Sequence, residues 1–297
     1  MDVYTIDLKF LDLTETIAAY LVVGPGGPVL VETGPGSTLE AAVGGLAALG
    51  FALADVRHVL VTHIHLDHAG AAGWWARQGA QVYVHHVGAP HLVDPSRLLA
   101  SAARIYGDAM DALWGEMLPV PAERLTTVAD DDRIGVAGLT FTAIDSPGHA
   151  RHHHIFRLGD AAFTGDATGI RLPRSTFTIL PSPPPEFDLK AWEDTLARLR
   201  RAQFSRLYPT HFGPIDDVRE HLDSFDSLIH AAAGFVRERM EAGVERDALI
   251  AQYVEWNRSR AQAQGLSQEE FRRYETANPL FMAVDGLMRY WRKMWEE

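Results

Sequence analysis

Between Thr62 and Gly70 the chain reads THIHLDHAG, with three histidines and one aspartate inside six positions, directly behind the run His58-Val59-Leu60-Val61. Four strong metal or proton ligands at the end of a strand constrain this fold more than any other feature. In an extended segment His63 and His65 project to the same side, so two imidazoles can converge on one ion. The turn that follows re-aims the chain and leaves Asp67 and His68 to face a neighbouring ion. Composition makes such a pattern improbable by coincidence.

The surroundings read as alternating strands and helices. Val3 to Phe10, Ile17 to Val23 and Val29 to Val31 are short extended runs separated by turns such as Gly24-Pro25-Gly26-Gly27, the pattern of antiparallel hairpins. Ser37 to Leu49 is predicted as a helix opened by a Ser37/Glu40 capping box. Arg57 to Val61 is a strand, Ala69 to Gln78 a helix and Gln81 to Val84 a strand. Leu92 to Leu118 reads as a helical insertion. Strand signals resume at Leu125 to Val128, Leu139 to Ile144, His153 to Leu158 and Ala161 to Thr164. Prolines hold residues 171 to 188 as a loop. Leu189 to Arg201 is helical, Arg206 to Tyr208 a short strand, and nearly everything from Asp216 onward helix. The two halves predict helices covering two sheets from outside, with one main domain over 1–235 and a helical extension over 236–297 packed on it.

Composition narrows the partners. The 297 residues carry a formal charge of −12, so no general basic field attracts a phosphate backbone and nucleic acid is not expected. Cysteine is absent, which leaves nitrogen and oxygen to hold any metal. No apolar run approaches the ~18 residues of a spanning helix, and acids stand where a secretory signal carries basic residues. The expectation is a cytoplasmic protein acting on a small molecule, with no membrane partner.

Three further residues follow strand-like runs beside glycine or proline: His149 in SPGH, Asp166 in FTGDA and His211 in YPTHFGP. With His-x-His-x-Asp-His, this ordered set resembles the metallo-β-lactamase superfamily over roughly residues 3 to 215. The resemblance implies a four-layer αββα sandwich, here with a C-terminal helical extension. It also implies two divalent metal ions, Zn2+ first with Mn2+ and Fe2+ open. His63, His65 and His149 would bind one ion, Asp67, His68 and His211 the other, with Asp166 bridging. One departure is Glu32-Thr33-Gly34, where the family usually has Asp-Thr-Gly; Glu32 is assigned a supporting place behind the site.

Seven ligands shared by two ions leave positions for water or substrate, unlike a closed structural zinc site. Such a pair lowers the pKa of a shared water and polarises a carbonyl oxygen. The expected reaction is hydrolysis of an ester, lactone or thioester, with Asp67 handling the leaving-group proton. The alternatives are an iron-dependent redox enzyme of the persulfide-dioxygenase type, which the same ligands suit, a phosphodiesterase, and a metal-binding protein without catalysis.

Other residues carry weaker signals. Arg171 and Arg174 could clamp a substrate carboxylate, against the ordinary reading as solvated loop arginines. Tyr106, Trp114 and Phe177 are candidates for an apolar pocket; Tyr106 and Trp114, spaced with Met110 and Met117 on one helix face, suit packing equally. Within the run His152 to His154, His153 is the candidate to support a ligand. His85, His86 and His91 read as structural. Met288, Trp291, Met294 and Trp295 make the last helix amphipathic, docking on the core first and in a homodimer second.

Overall fold

Hairpin turns and parallel crossovers alternate along the chain. The computed structural model describes residues 2–296, and these separate into two compact units, each treated by itself below. The first runs to Asp145 and includes His152–Gly165; the second comprises Ser146–Arg151 and the chain from Asp166 onward.

In the first unit β1 (Asp2–Asp7), β2 (Ala18–Gly24) and β3 (Gly27–Val31) pair antiparallel. The β2–β3 hairpin closes at Gly24 and Gly27, and Gly27 takes a φ of 115 that side-chain-bearing residues avoid. Beyond β3 the sheet turns parallel through β4 (His58–Leu60), β5 (Gln81–His85) and β6 (Leu125–Val128), in sequence order β1 to β6. Helices make the crossovers that parallel pairing requires. α1 (Leu39–Ala48) precedes β4, while α2 (Leu66–Ala69) and α3 (Ala72–Arg77) precede β5. The insertion forms α4 (Ala89–Val93), α5 (Ser96–Tyr106) and α6 (Met110–Trp114). Leu21, Val59, Val82 and Trp75 are wholly buried in one core with Leu30, each aliphatic side chain contributing roughly 1.5–3 kcal/mol by leaving water.

The second sheet of this unit is an antiparallel meander of β7 (Arg133–Val136), β8 (Leu139–Asp145), β9 (His154–Leu158) and β10 (Ala161–Gly165). β7 carries no clear strand signal in its sequence. Its partner β8 is reached through Ala137 and Gly138, both at positive φ, a primed hairpin turn with an unusual alanine in it. The predicted Ser37 cap is also corrected: Gly36–Thr38 form a 3-10 turn ahead of α1, and the Ser37 hydroxyl donates to Leu113 O instead.

The second unit carries α7 (Leu189–Ala202), β11 (Arg206–Pro209), α8 (Val218–Glu241), α9 (Arg246–Ala263), α10 (Gln268–Ala277) and α11 (Leu280–Glu296). Asp188 caps α7 by accepting from Ala191 N–H, and Ser267 with Glu270 forms a capping box on α10. Between 171 and 188 there is neither helix nor strand, only an isolated bridge from Ile170 to Ile179. The expected boundary at 235 does not separate compact units, because α8 runs unbroken through that position and α11 packs on it. Trp291 Nε1 donates to Ala233 O at 2.8 Å, and at Gly286 a Cβ would stand 1.9 Å from Ser182 O. Met288 is buried in this contact, whereas Met294 and Trp295 are about half exposed. Among the described residues no helix is long and apolar enough to cross a membrane.

Candidate metal centre

β4 ends at Leu60, and the chain then keeps His65 extended before turning into the short helix α2. That turn is pinned: Thr33 donates both its N–H and its hydroxyl to His68 O. At Gly70 a Cβ would meet Leu66 O at 2.3 Å and Pro35 Cα at 2.9 Å, so only glycine lets the backbone pass. The result gathers the motif's rings. His63 Nε2 lies 3.0 Å from His65 Nδ1, and the His63 and His68 ring centroids are 3.9 Å apart. His68 Nε2 stands 3.6 Å from Asp67 Oδ2. His63 and His68 are wholly buried, while Asp67 keeps 20% of its side chain exposed.

Glu32 sits behind this group at a φ of 68, a left-handed backbone that a non-glycine residue rarely adopts. Its carboxylate accepts Thr62 N–H at 3.3 Å and lies 3.6 Å from His68 Nδ1. A carboxylate behind an imidazole fixes ring orientation and raises ligand basicity. His153, also wholly buried, stacks 4.8 Å from His63.

In the second unit the three remaining candidates converge as well. Asp166 directly follows β10, and its carboxylate stands 3.4 Å from His149 Nε2 and 3.7 Å from His211 Nε2, all three residues being almost fully buried. His149 Nδ1 is 2.7 Å from Pro181 O. A carbonyl can only accept, so Nδ1 carries the ring proton and the lone pair of a neutral His149 is at Nε2, directed at a carboxylate. Lone pair against anion is repulsive unless a proton or a metal ion lies between them. Two ligands of one tetrahedral zinc are about 3.4 Å apart, given bonds of about 2.0–2.1 Å, so this spacing and donor set fit a metal.

The peripheral candidates divide. Tyr106 packs edge-on against Trp114 at 5.1 Å, and Trp114 stacks on Phe10 at 5.5 Å. Burial first, and then the Asp67 charge, push the Tyr106 phenol well above its ordinary titration range, which places that hydroxyl within electrostatic reach of Asp67. Phe177, expected beside the substrate, is a core residue: it is fully buried against Phe271 and Tyr274. Arg171, expected as a clamp, is held by Asp217, with Nη1 donating at 2.9 Å to both carboxylate oxygens. Arg174 is exposed. Asp145 carries no motif that marks it in the sequence, yet its carboxylate accepts from His154 Nε2 at 2.7 Å and lies 3.4 Å from His85 Nε2. Val87 N–H donates to His85 Nδ1, so His85 keeps its proton on the nitrogen facing Asp145. This is a hydrogen-bonded clasp joining the ends of β5, β8 and β9.

A second buried histidine reports on stability. His221 in α8 donates Nε2–H to Thr168 O at 2.9 Å. Burial, and secondarily the Arg171 charge, lower its pKa from 6.5 to about 4. Between those values the unfolded chain binds a proton that the folded chain refuses. Stability is therefore expected to fall as pH drops through this window, by up to about 3 kcal/mol from this group. Urea unfolding at neutral pH and near pH 4.5 checks it: His221→Gln should lose less of its midpoint on acidification than the parent chain. Equal losses would remove His221 as the cause.

The chain belongs to the metallo-beta-lactamase superfamily, whose family model matches residues 14–211, more than half of its length. A metallo-beta-lactamase fold-containing protein of Sulfurisphaera tokodaii is 24% identical over 192 residues, covering 63% of this chain and 69% of that protein. The atrochrysone carboxyl ACP thioesterase of Aspergillus fumigatus is 26% identical over 197 residues, covering 66% of this chain but only 37% of the thioesterase. Among solved structures, a metallo-beta-lactamase family protein of Thermus thermophilus superposes with a TM-score of 0.66 at 23% identity, over 99% of this chain and 94% of that one. The fold is thus the α/β metallo-β-lactamase sandwich with a C-terminal helical region.

Proposed function

We propose that this chain is a metal-dependent hydrolase of a small ester, lactone or thioester. Its two divalent ions, Zn2+ in the first instance, would be held by His63, His65 and His149 and by Asp67, His68 and His211, with Asp166 shared. The observation that carries the reading is the orientation of His149: with Nδ1 held by Pro181 O, its Nε2 faces the Asp166 carboxylate at 3.4 Å in a buried place. When bound there, such ions would supply an acidified water at neutral pH and would polarise a carbonyl oxygen.

The chain's own groups do the rest. Glu32 holds the His68 ring, and the Pro181 carbonyl fixes the His149 tautomer. Asp67, partly exposed beside His68, is positioned to take a proton and return it to the leaving group. Tyr106 and Trp114 form an aromatic wall in the unit that carries Asp67, suited to an apolar acyl group. Membership in a superfamily whose members are generally hydrolases, with a thioesterase among this chain's relatives, supports carbonyl chemistry.

Metal content per chain, measured on protein purified without chelator, followed by a panel of lactone, thioester and phosphodiester substrates, tests the reading. About two zinc or manganese ions with carbonyl hydrolysis support it. Hydrolysis that survives complete chelation would sink it. About one iron without hydrolysis would favour oxygenase chemistry, and turnover confined to the phosphodiester would replace the substrate class.

A further inference from the structure

At the end of β4 and β5 opposite to the histidine cluster, a cavity of about 500 Å3 is lined by Arg57, His58, Gln78, Gln81 and Arg124. The topology brings them there. His58 and Gln81 are the first residues of two paired parallel strands, and Arg124 precedes β6, the next strand in the sheet. Connections entering neighbouring parallel strands lie at the same end of the sheet, so their side chains line one cavity.

The lining is electrostatically one-sided. In a chain of formal charge −12 it carries two guanidinium groups, an imidazole and two carboxamides, and, among the described residues, no carboxylate. Several of these groups are already fixed. Arg124 Nη1 donates to Gly79 O at 2.9 Å, Gln81 Nε2 donates to Thr126 Oγ1 at 2.9 Å, and the Tyr83 hydroxyl stands 3.4 Å from His58 Nδ1. Groups held in place lose little freedom when a ligand arrives. Arg57 acts on the neighbouring ring: burial first and the Arg57 charge second keep His58 below its ordinary titration range.

We infer that this cavity binds a tetrahedral oxyanion, the phosphate group of a small phosphorylated molecule or free phosphate, between Arg57, Arg124 and His58. Two planar guanidinium forks match a phosphate dianion better than a single carboxylate. The volume exceeds what a bare phosphate fills and lies within the ordinary range of small-molecule pockets. A nucleic-acid backbone does not fit, because one basic pocket on an acidic chain offers no track for successive phosphates.

The test follows the His58 imidazole signals by NMR in the full chain as inorganic phosphate is added at constant ionic strength, with chloride as control. A saturable shift and a His58 protonation midpoint that rises with phosphate are expected, since an anion beside the ring favours its charged form. Arg57→Gln and Arg124→Gln should each weaken the response about tenfold; both side chains are exposed, and circular dichroism verifies the fold of each variant. A response no larger than that of chloride, or one unchanged in both variants, overturns the site. Phosphate captured at the histidine cluster would leave His58 unmoved and count as the same negative, whatever the chain's hydrolytic activity. Glycerol phosphate separates the two sources: tighter binding than phosphate identifies a phosphorylated molecule, and equal binding identifies free phosphate.

Discussion

Asp166→Ala is expected to lower kcat/KM for a carbonyl substrate by at least about a thousandfold, a loss of roughly 4 kcal/mol of transition-state stabilisation. The carboxylate faces both His149 and His211 within its unit, at 3.4 and 3.7 Å, with nearly all of its surface buried. Removing it takes away the carboxylate that, in the proposed reading, both ions would share, one held with His149 and the other with His211. Metal per chain should fall together with the rate. Asp166→Asn separates charge from shape, since the amide fills the same space but carries no negative charge; it should resemble the alanine variant in metal retention. Elemental analysis and initial rates on the same preparations decide the matter. A chain that keeps its metal and a rate within about tenfold of the parent would mean that Asp166 is a buried hydrogen-bonding group and not a shared ligand.

Much of this arrangement is legible in the sequence because strand ends announce themselves. The run into Val61 and the closely spaced histidines mark where β4 stops, and His63, His65 and His68 do gather there. Elements whose stability comes from distant partners are not legible. β7 is four residues with an exposed arginine and a glycine in it; only its ladder with β8 makes it a strand. Ser37 and Glu40 match a capping box locally, yet the hydroxyl is taken by Leu113, far along the chain. Phe177 lies in a proline-rich loop and reads from sequence as a candidate for an apolar pocket, whereas residues 271 and 274 pack against it in the core. Arg171 displays its charge in the sequence and hides its partner Asp217. The basic cavity is a further case, since adjacency of Arg57 and Arg124 requires knowing the strand order.

Trp192→Ala is expected to destabilise the chain by about 3–5 kcal/mol, lowering the melting temperature on the order of 10 °C. The indole is wholly buried in the second unit between Phe187 and Phe225, with centroids at 5.9 and 5.6 Å. Its truncation leaves a cavity that backbone-fixed neighbours cannot close: at Gly148, φ 128, a Cβ would already meet the tryptophan at 2.5 Å. Nε1 also donates to Ala167 O at 2.8 Å, and an orphaned buried carbonyl adds about 1–3 kcal/mol. Because the His149 ring packs edge-on against this indole at 6.0 Å, the damage should extend to the site as weaker metal retention at temperatures well below melting. Trp192→Phe keeps an aromatic ring and loses only the N–H and part of the volume, so a smaller loss is expected. Differential scanning calorimetry of both variants, with metal content measured beside it, tests the chain of dependence from core to ligand. Melting unchanged in the alanine variant would show that the indole is not a packing centre. Melting lowered with metal retention intact would show instead that the Pro181 carbonyl alone suffices to hold His149 in place.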